Sequence, residues 1–202
     1  HMTTAPALAR LFAADGPWLA DHQRRHGPWP EVTGPELISS LERAGLSGRG
    51  GAGFPTARKF AAITGPKPVV IGNGAEGEPL SRKDAVLLTR APHLVLDGLD
   101  AAADAVKADK VYLYLHAKAM PAAAKALDER RAAGLDRHAV SLIEAPDTFV
   151  ACEESAAIRH VEGGPALPRD RTVIAAVSGV RGRPTLVNNV ETLDHIGLLA
   201  RY

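Results

Sequence analysis

The sequence predicts an α/β fold, a layered parallel sheet flanked by helices, on three observations. Short apolar runs ending in turn residues, "KPVVIGN", "KVYLYLH" and "HAVSLIEA", read as buried strands. Stretches with helical apolar spacing separate them, and strands alternating with helices imply parallel pairing through right-handed crossovers. The composition, 46% hydrophobic and 23% charged over 202 residues, suits one globular domain with a small appendage.

In chain order, residues 6–25 carry apolar spacing at Leu8, Leu11 and Phe12, then at Trp18 and Leu19. This predicts two short helices broken at Gly16-Pro17. They belong to a helical arm over residues 1–33, of which His1-Met2 reads as an expression scar. The α/β domain then runs over 34–202. Thr33 and Glu36 stand at capping-box spacing ahead of a stripe of Leu37, Ile38, Leu41 and Ala44, and Gly45 is the expected C-cap. A glycine-rich loop follows, then a helix over 56–63 and the first strand. Helices are predicted over 82–90 and 93–107, parted at Pro92, and over the Ala-rich 118–133 after the second strand. Residues 152–162 and 185–200 are expected to close the chain as two further helices. The pattern describes a Rossmann-like layered sheet.

Formal net charge is +1 and the basic residues are scattered, so neither nucleic acid nor a lipid surface is an expected partner. The single cysteine, Cys152, has no internal disulfide partner and cannot alone hold zinc or an iron–sulfur cluster, so no metal site is expected. No apolar run approaches the roughly 20 residues of a bilayer span, and no signal peptide is visible; a reducing cytoplasm is the expected location.

Three segments carry chemistry. The first is "GLSGRGGAGFPTARKF", in which Gly48, Gly50 and Gly53 satisfy G-x-G-x-x-G. A dinucleotide fingerprint needs a strand before that loop, whereas a helix is predicted here. What survives is an anion site: glycines that let the backbone approach a ligand, a following helix N-terminus, and the charges of Arg49, Arg58 and Lys59. The plainer reading is a flexible connector, against which Phe54 and Pro55 argue. The second segment, "GNGAEGEPLSRKD", puts Asn73, Glu76 and Glu78 where the first strand ends, the usual ligand edge of an open α/β sheet. Alternation sets both glutamates on one side if the chain stays extended; otherwise they are solvated turn carboxylates. The third, "FVACEESAAI", places Glu153 and Glu154 in a first helical turn, where acidic residues often merely complement the helix dipole.

Together with "GRPTLVNNVET", these segments resemble the FMN-binding domain of the NADH-binding 51 kDa subunit of respiratory complex I and its relatives in soluble hydrogenases and formate dehydrogenases. That family carries G-R-G-G-A-G-F-P-T-G-x-K-W, N-A-D-E-x-E-P-G, Y-x-C-G-E-E-T-A and N-N-V-E-T in the same order. The resemblance implies that Gly48, Arg49, Gly50, Gly51 and Lys59 lie along an FMN phosphate and ring edge, with Asn73, Glu76, Phe149, Cys152, Glu153, Asn188, Asn189 and Thr192 completing the pocket. It assigns Phe54, Glu78, Glu154 and Arg171 to an NAD(H) side. It also implies hydride transfer from nicotinamide to flavin, with no side chain acting as acid or base, followed by single-electron delivery to a ferredoxin or an iron–sulfur domain or subunit.

The chain departs from the family at specific places. Ala75 stands for an aspartate, Phe149 for a tyrosine, and Ala151-Cys152 for Cys-Gly. Two further aromatics that sandwich adenine correspond to Ala62 and Ile174, leaving only Phe54. At about 0.5–1.5 kcal/mol per aromatic contact, the expectation is FMN binding with weak or absent NADH binding. The family's β-grasp domain and its four-cysteine cluster domain are not expected in this chain. Two other readings stay open on the residues: an interaction or assembly domain that has lost flavin, and a binder of another nucleotide or phosphate ligand in the same cleft.

Overall fold

A computed structural model describes residues 10–48, 53–77, 82–170 and 173–202. Among them the arm contributes α1 (Leu19–His26), and the domain begins with α2 (Gly34–Ala44). The capping box forms as the sequence predicts: Thr33 and Glu36 exchange side-chain-to-backbone hydrogen bonds, and Gly45 ends the helix in the left-handed region at φ 61°. Next come α3 (Thr56–Ala61), β1 (Val69–Gly74), α4 (Lys83–Arg90), α5 (Pro92–Val106), β2 (Lys110–His116), α6 (Met120–Ala132), β3 (Val140–Ala145), α7 (Glu154–Val161), β4 (Thr185–Asn189) and α8 (Val190–Arg201). Pro92 does not separate α4 from α5 as a break; it opens α5, where its fixed φ suits a first helical residue and its missing N–H costs nothing.

The chain's close corrects the sequence reading. Residues 185–189 are a strand and not the start of a helix: Thr185 and Val187 are β-branched, Leu186 and Val187 are apolar, and Asn189 then caps α8 by accepting from Glu191 N at 2.9 Å. The third segment also shifts by two residues. Phe149–Cys152 form a 3-10 turn, Glu153 is the extended N-cap, and Glu154 alone opens α7.

All described strand pairs are parallel, in the order β3-β2-β1-β4. From β1 to β3 the chain steps in one direction with its crossover helices on one face. To reach β4 it must jump back past β2 and β1, so a right-handed connection puts α7 on the opposite face. β1, β2 and β4 accordingly bury apolar residues on both sides. Val70, Leu113, Leu115 and Leu186 join the core with α2, α5 and α8, while Val69, Ile71, Tyr114 and Val187 face Ala157 and Ile158 of α7.

Within the larger layer α5 and α8 cross in contact. A Cβ at Gly98 would lie 1.8 Å from the Leu193 carbonyl oxygen, and one at Gly197 would lie 2.7 Å from that of Leu94. Only glycine permits this approach, and it sets how far the head of α8 stands from the sheet. On the same helix, at Asp97 and Asp100, a buried polar network ties down the arm. Arg130 donates to Asp97 at 2.6 Å and to Asp100 at 3.1 Å, Arg201 donates to Asp97 at 2.8 Å, and His22 meets the same carboxylate at 2.7 Å.

Candidate functional site

The strand order reverses between β1 and β4, and ligands of open α/β sheets bind at the carboxyl ends of the strands flanking such a reversal. Residues of all three chemistry-bearing segments and of "GRPTLVNNVET" meet here. In the register Gly72 lies opposite Asn188 and Asn73 opposite Asn189, so three amide side chains stand at the ends of two neighbouring strands. Asn73 donates through Nδ2 to the Cys152 carbonyl at 2.8 Å and accepts from Ala75 N at 3.1 Å. This bond joins the end of β1 to the 3-10 turn ahead of α7. Tyr114 reinforces the turn from below, donating to the Ala151 carbonyl at 3.0 Å, and burial pushes its phenol up to about 12.

Lys59 reaches in from α3. Its Nζ donates to the Val187 carbonyl at 2.6 Å, capping the outer side of edge strand β4, and lies 3.3 Å from Glu154 at the head of α7. Gly48 is bonded through its N–H to the Phe54 carbonyl at 2.8 Å, and Ser47 bridges Pro55, which closes the mouth of the glycine loop into a hairpin-like neck. The loop's Arg49, Gly50 and Gly51 lie outside the described residues, as do Glu78 and Arg171.

Glu76 accepts from Asp84 N at 3.0 Å, and its own N–H faces His116 Nε2 at 3.2 Å. Asn189 Nδ2 donates to Asp84 Oδ2 at 3.2 Å, so Glu76 and Asn189 are joined through Asp84. Thr192 is buried in the first turn of α8. Cys152 Sγ donates to the Phe149 carbonyl at 3.0 Å, burial raises its thiol pKa, and Sγ presses on Gly77, where a Cβ would sit 2.5 Å away. Phe54, Phe149, Glu153 and Glu154 are exposed, so Asn73, Lys59, Asn188, Asn189 and the Glu76 link form the compact part of the site, with Glu154 at its rim through Lys59.

Sequence reasoning missed Asp84, because an acidic residue in a first helical turn reads as an ordinary complement to the dipole. In the fold it is 1% exposed, and burial pushes its carboxyl up to about 7 against the pull of Lys83. Asp194, fully buried on α8, is held well above the carboxylate range, also by burial. Among the described residues no group of three or more His, Cys, Asp or Glu side chains is arranged to hold a metal ion, and no helix is long and apolar enough to cross a membrane.

Two polar atoms decide what kind of ligand suits the site. Asn188 Nδ2 and Thr56 Oγ1 are buried without a hydrogen-bond partner among the described residues, and a buried donor left unmade costs about 1–3 kcal/mol. An acceptor-rich ligand that reached Asn188 would satisfy its Nδ2, and with the Lys59 ammonium and the head of α8 the donor set matches a phosphorylated, carbonyl-bearing ring system. The residues present therefore fit a flavin mononucleotide.

The fold and this edge define a cofactor-binding α/β domain of the doubly wound kind, with its site at the switch point. The chain belongs to the family of the Nuo51 FMN-binding domain, whose sequence profile matches residues 41–197. It is 33% identical to a NADH-quinone oxidoreductase subunit of Salmonella typhimurium over 96% of this chain and 48% of that protein. The NADH-quinone oxidoreductase subunit of the same kind in Mycobacterium bovis is 34% identical over 95% of this chain and 49% of its own length. The chain thus spans about half the length of these relatives. Among solved structures it matches NAD+-reducing [NiFe]-hydrogenase in the H2-reduced state with a TM-score of 0.76 and 37% identity, over 83% of this chain and 31% of the other. The air-oxidized state gives a TM-score of 0.75 and 34% identity, over 99% and 34% of the two chains.

Proposed function

We propose that this domain binds FMN at the β1–β4 switch point and serves as an electron-transfer module for an iron–sulfur partner. The observation that carries the reading is the Asn188 amide, 3% exposed, whose Nδ2 has no hydrogen-bond partner among the described residues at the place where three motif segments converge. When bound, FMN supplies uptake of two electrons as hydride and their release one at a time. The chain's own part is to hold and orient. Lys59 and the N-terminus of α8 offer positive potential, Asn188 and Asn189 fix amide donors and acceptors, and the Asn73–Cys152 bond keeps α7 at the pocket's edge.

The test is titration of FMN into the apoprotein, followed by quenching of flavin fluorescence. Binding should be saturable, and Asn188→Ala should weaken it by about 2- to 10-fold, the worth of one hydrogen bond. Protein that stays colourless and shows no thermal shift with excess FMN would overturn the assignment and favour an assembly role.

NADH is proposed as a weak ligand. Phe54 is the one aromatic retained from the family's adenine sandwich, and it is half-exposed, whereas Ala62 and Ile174 present no ring to a purine. Anaerobic NADH should bleach the flavin band of reconstituted protein only at high concentration. Micromolar NADH affinity by calorimetry would contradict the proposal.

A further inference from the structure

Behind the amide cluster lies a pair of buried carboxyls that the proposed binding role does not use. Asp84 is 1% exposed and Asp194 is fully buried. Among the described residues Asp84 Oδ1 and both oxygens of Asp194 have no hydrogen-bond partner, an arrangement costly enough that such groups normally shed their charge. Besides the Asp84 N–H bond to Glu76, one contact of the Asp84 carboxylate ties the pair to the pocket. Asp84 Oδ2 accepts from Asn189 Nδ2 at 3.2 Å, which fixes the flip of that amide so that its Oδ1 points back to cap α8 through Glu191 N at 2.9 Å.

We propose, resting on the FMN reading above, that Asp84 is a positioning residue which orients Asn189 and takes up a proton from solvent when an anionic ligand fills the pocket.

The surroundings of Asp84 favour this. Lys83 on its own helix draws its proton off, while Glu76 from the loop after β1 and Glu191 from α8 push the other way. Lys83 itself is paired with Glu191 at 2.9 Å, so its charge is partly spent. Asp194 feels Asp84, Glu191 and Asp97 and stays protonated, leaving Asp84 as the member that titrates near neutrality. On the neighbouring elements, His195 of α8 approaches Glu191, and His116 at the end of β2 is bonded to the Glu76 backbone. The 3-10 turn before α6 carries Lys118, and Lys125 of α6 sits over the Trp18 ring. His93, Asp97 and Asp100 of α5 are engaged by Arg130. A phosphate dianion entering beside Asn189 adds like charge next to a buried carboxyl, which raises the pKa of Asp84 further. The complex then holds more protons than the free protein, so affinity falls as pH rises through 7 to 8.

Calorimetric titration with FMN at pH 8, where the phosphate (second pKa about 6) is already doubly ionised, in two buffers of different ionisation enthalpy, counts the protons taken up. A rise of one unit from about 7 gives uptake on the order of 0.4 proton per site. Asp84→Asn keeps a carbonyl acceptor for Asn189 and cannot titrate; it should bind FMN with the uptake abolished. Asp194→Asn should retain it. Wild-type protein that binds FMN with buffer-independent enthalpy overturns this inference and leaves the FMN reading standing, even if Asp84→Asn does not fold. Equal uptake in wild type and Asp84→Asn also overturns it, as does uptake lost only in Asp194→Asn. Failure to bind FMN at all overturns both.

Discussion

Cys152 and Gly77 compete for one volume at the lip of the pocket. The thiol stands where the family motif has a glycine, and its sulfur lies 2.5 Å from where a Cβ on Gly77 would be. A short side chain on a 3-10 turn held by Tyr114 and Asn73 has little room to yield, so Gly77→Ala should lower stability by about 1–3 kcal/mol, the usual cost of overpacking. In a Cys152→Gly background the same substitution should be nearly free. Denaturant unfolding of the four proteins measures the coupling, and purely additive effects would show that the two residues do not share this space. Lys59 shows a different ambiguity at the same scale. Its charge faces the site, yet it also caps the Val187 carbonyl, so it serves the sheet edge whether or not a ligand is present.

At the scale of elements, the α5–α8 crossing places the pocket's amides. Asn188 ends β4 and Asn189 caps α8, so any displacement of that helix moves both. Adding a methyl at Gly98 would thrust a carbon 1.8 Å from the Leu193 carbonyl, a backbone atom that cannot rotate away. The helix propensity gained from alanine, about 1 kcal/mol, acts in the opposite direction but is too small to compensate. We expect Gly98→Ala to lose at least about 2 kcal/mol of stability and to weaken FMN binding in the fraction that folds; a melting temperature at or above wild type would refute the crossing. Segment 185–189 belongs here as well. Five apolar and amide residues running directly into a helix carry no turn signal between them, so periodicity fused strand and helix. Pro184 before the run and an N-cap asparagine after it were the available signs of a boundary.

For the whole molecule, acid should loosen the arm before it unfolds the sheet. Burial and neighbouring cations lower His93 to about 3, and burial, with His22 and Arg201 nearby, lowers His26 to about 4, both from an unfolded value of 6.5. The unfolded chain therefore binds these protons first, and the stability their neutral forms contribute is lost as pH falls from about 6.5 toward 4 and below. Asp100, raised to about 6 mainly by burial, contributes with the opposite sign over the same range, which flattens the global profile but leaves His26 of the arm, and His93 of α5 against the arm's His22, as local triggers. Both tryptophans, Trp18 and Trp29, lie in the arm and stack under Lys125 and under Arg137 and Arg201. Their emission should shift between pH 6.5 and 4 while far-ultraviolet circular dichroism holds steady. Coincident transitions would show that the arm and sheet unfold as one unit.

The sequence by itself determined the layered α/β class, the capping box of α2, three of the four described strands, and the motifs that carry the family, because these depend on periodicity and on residue types close together in the chain. The tertiary structure decided that 185–189 pairs with β1, that the strand order reverses there, and that the Asn188 amide nitrogen is buried with no hydrogen-bond partner among the described residues. It also brought Asp84 and Asp194, 110 positions apart, into one buried pair. Burial and long-range partners set those properties, and neither is encoded in the local spacing of residues.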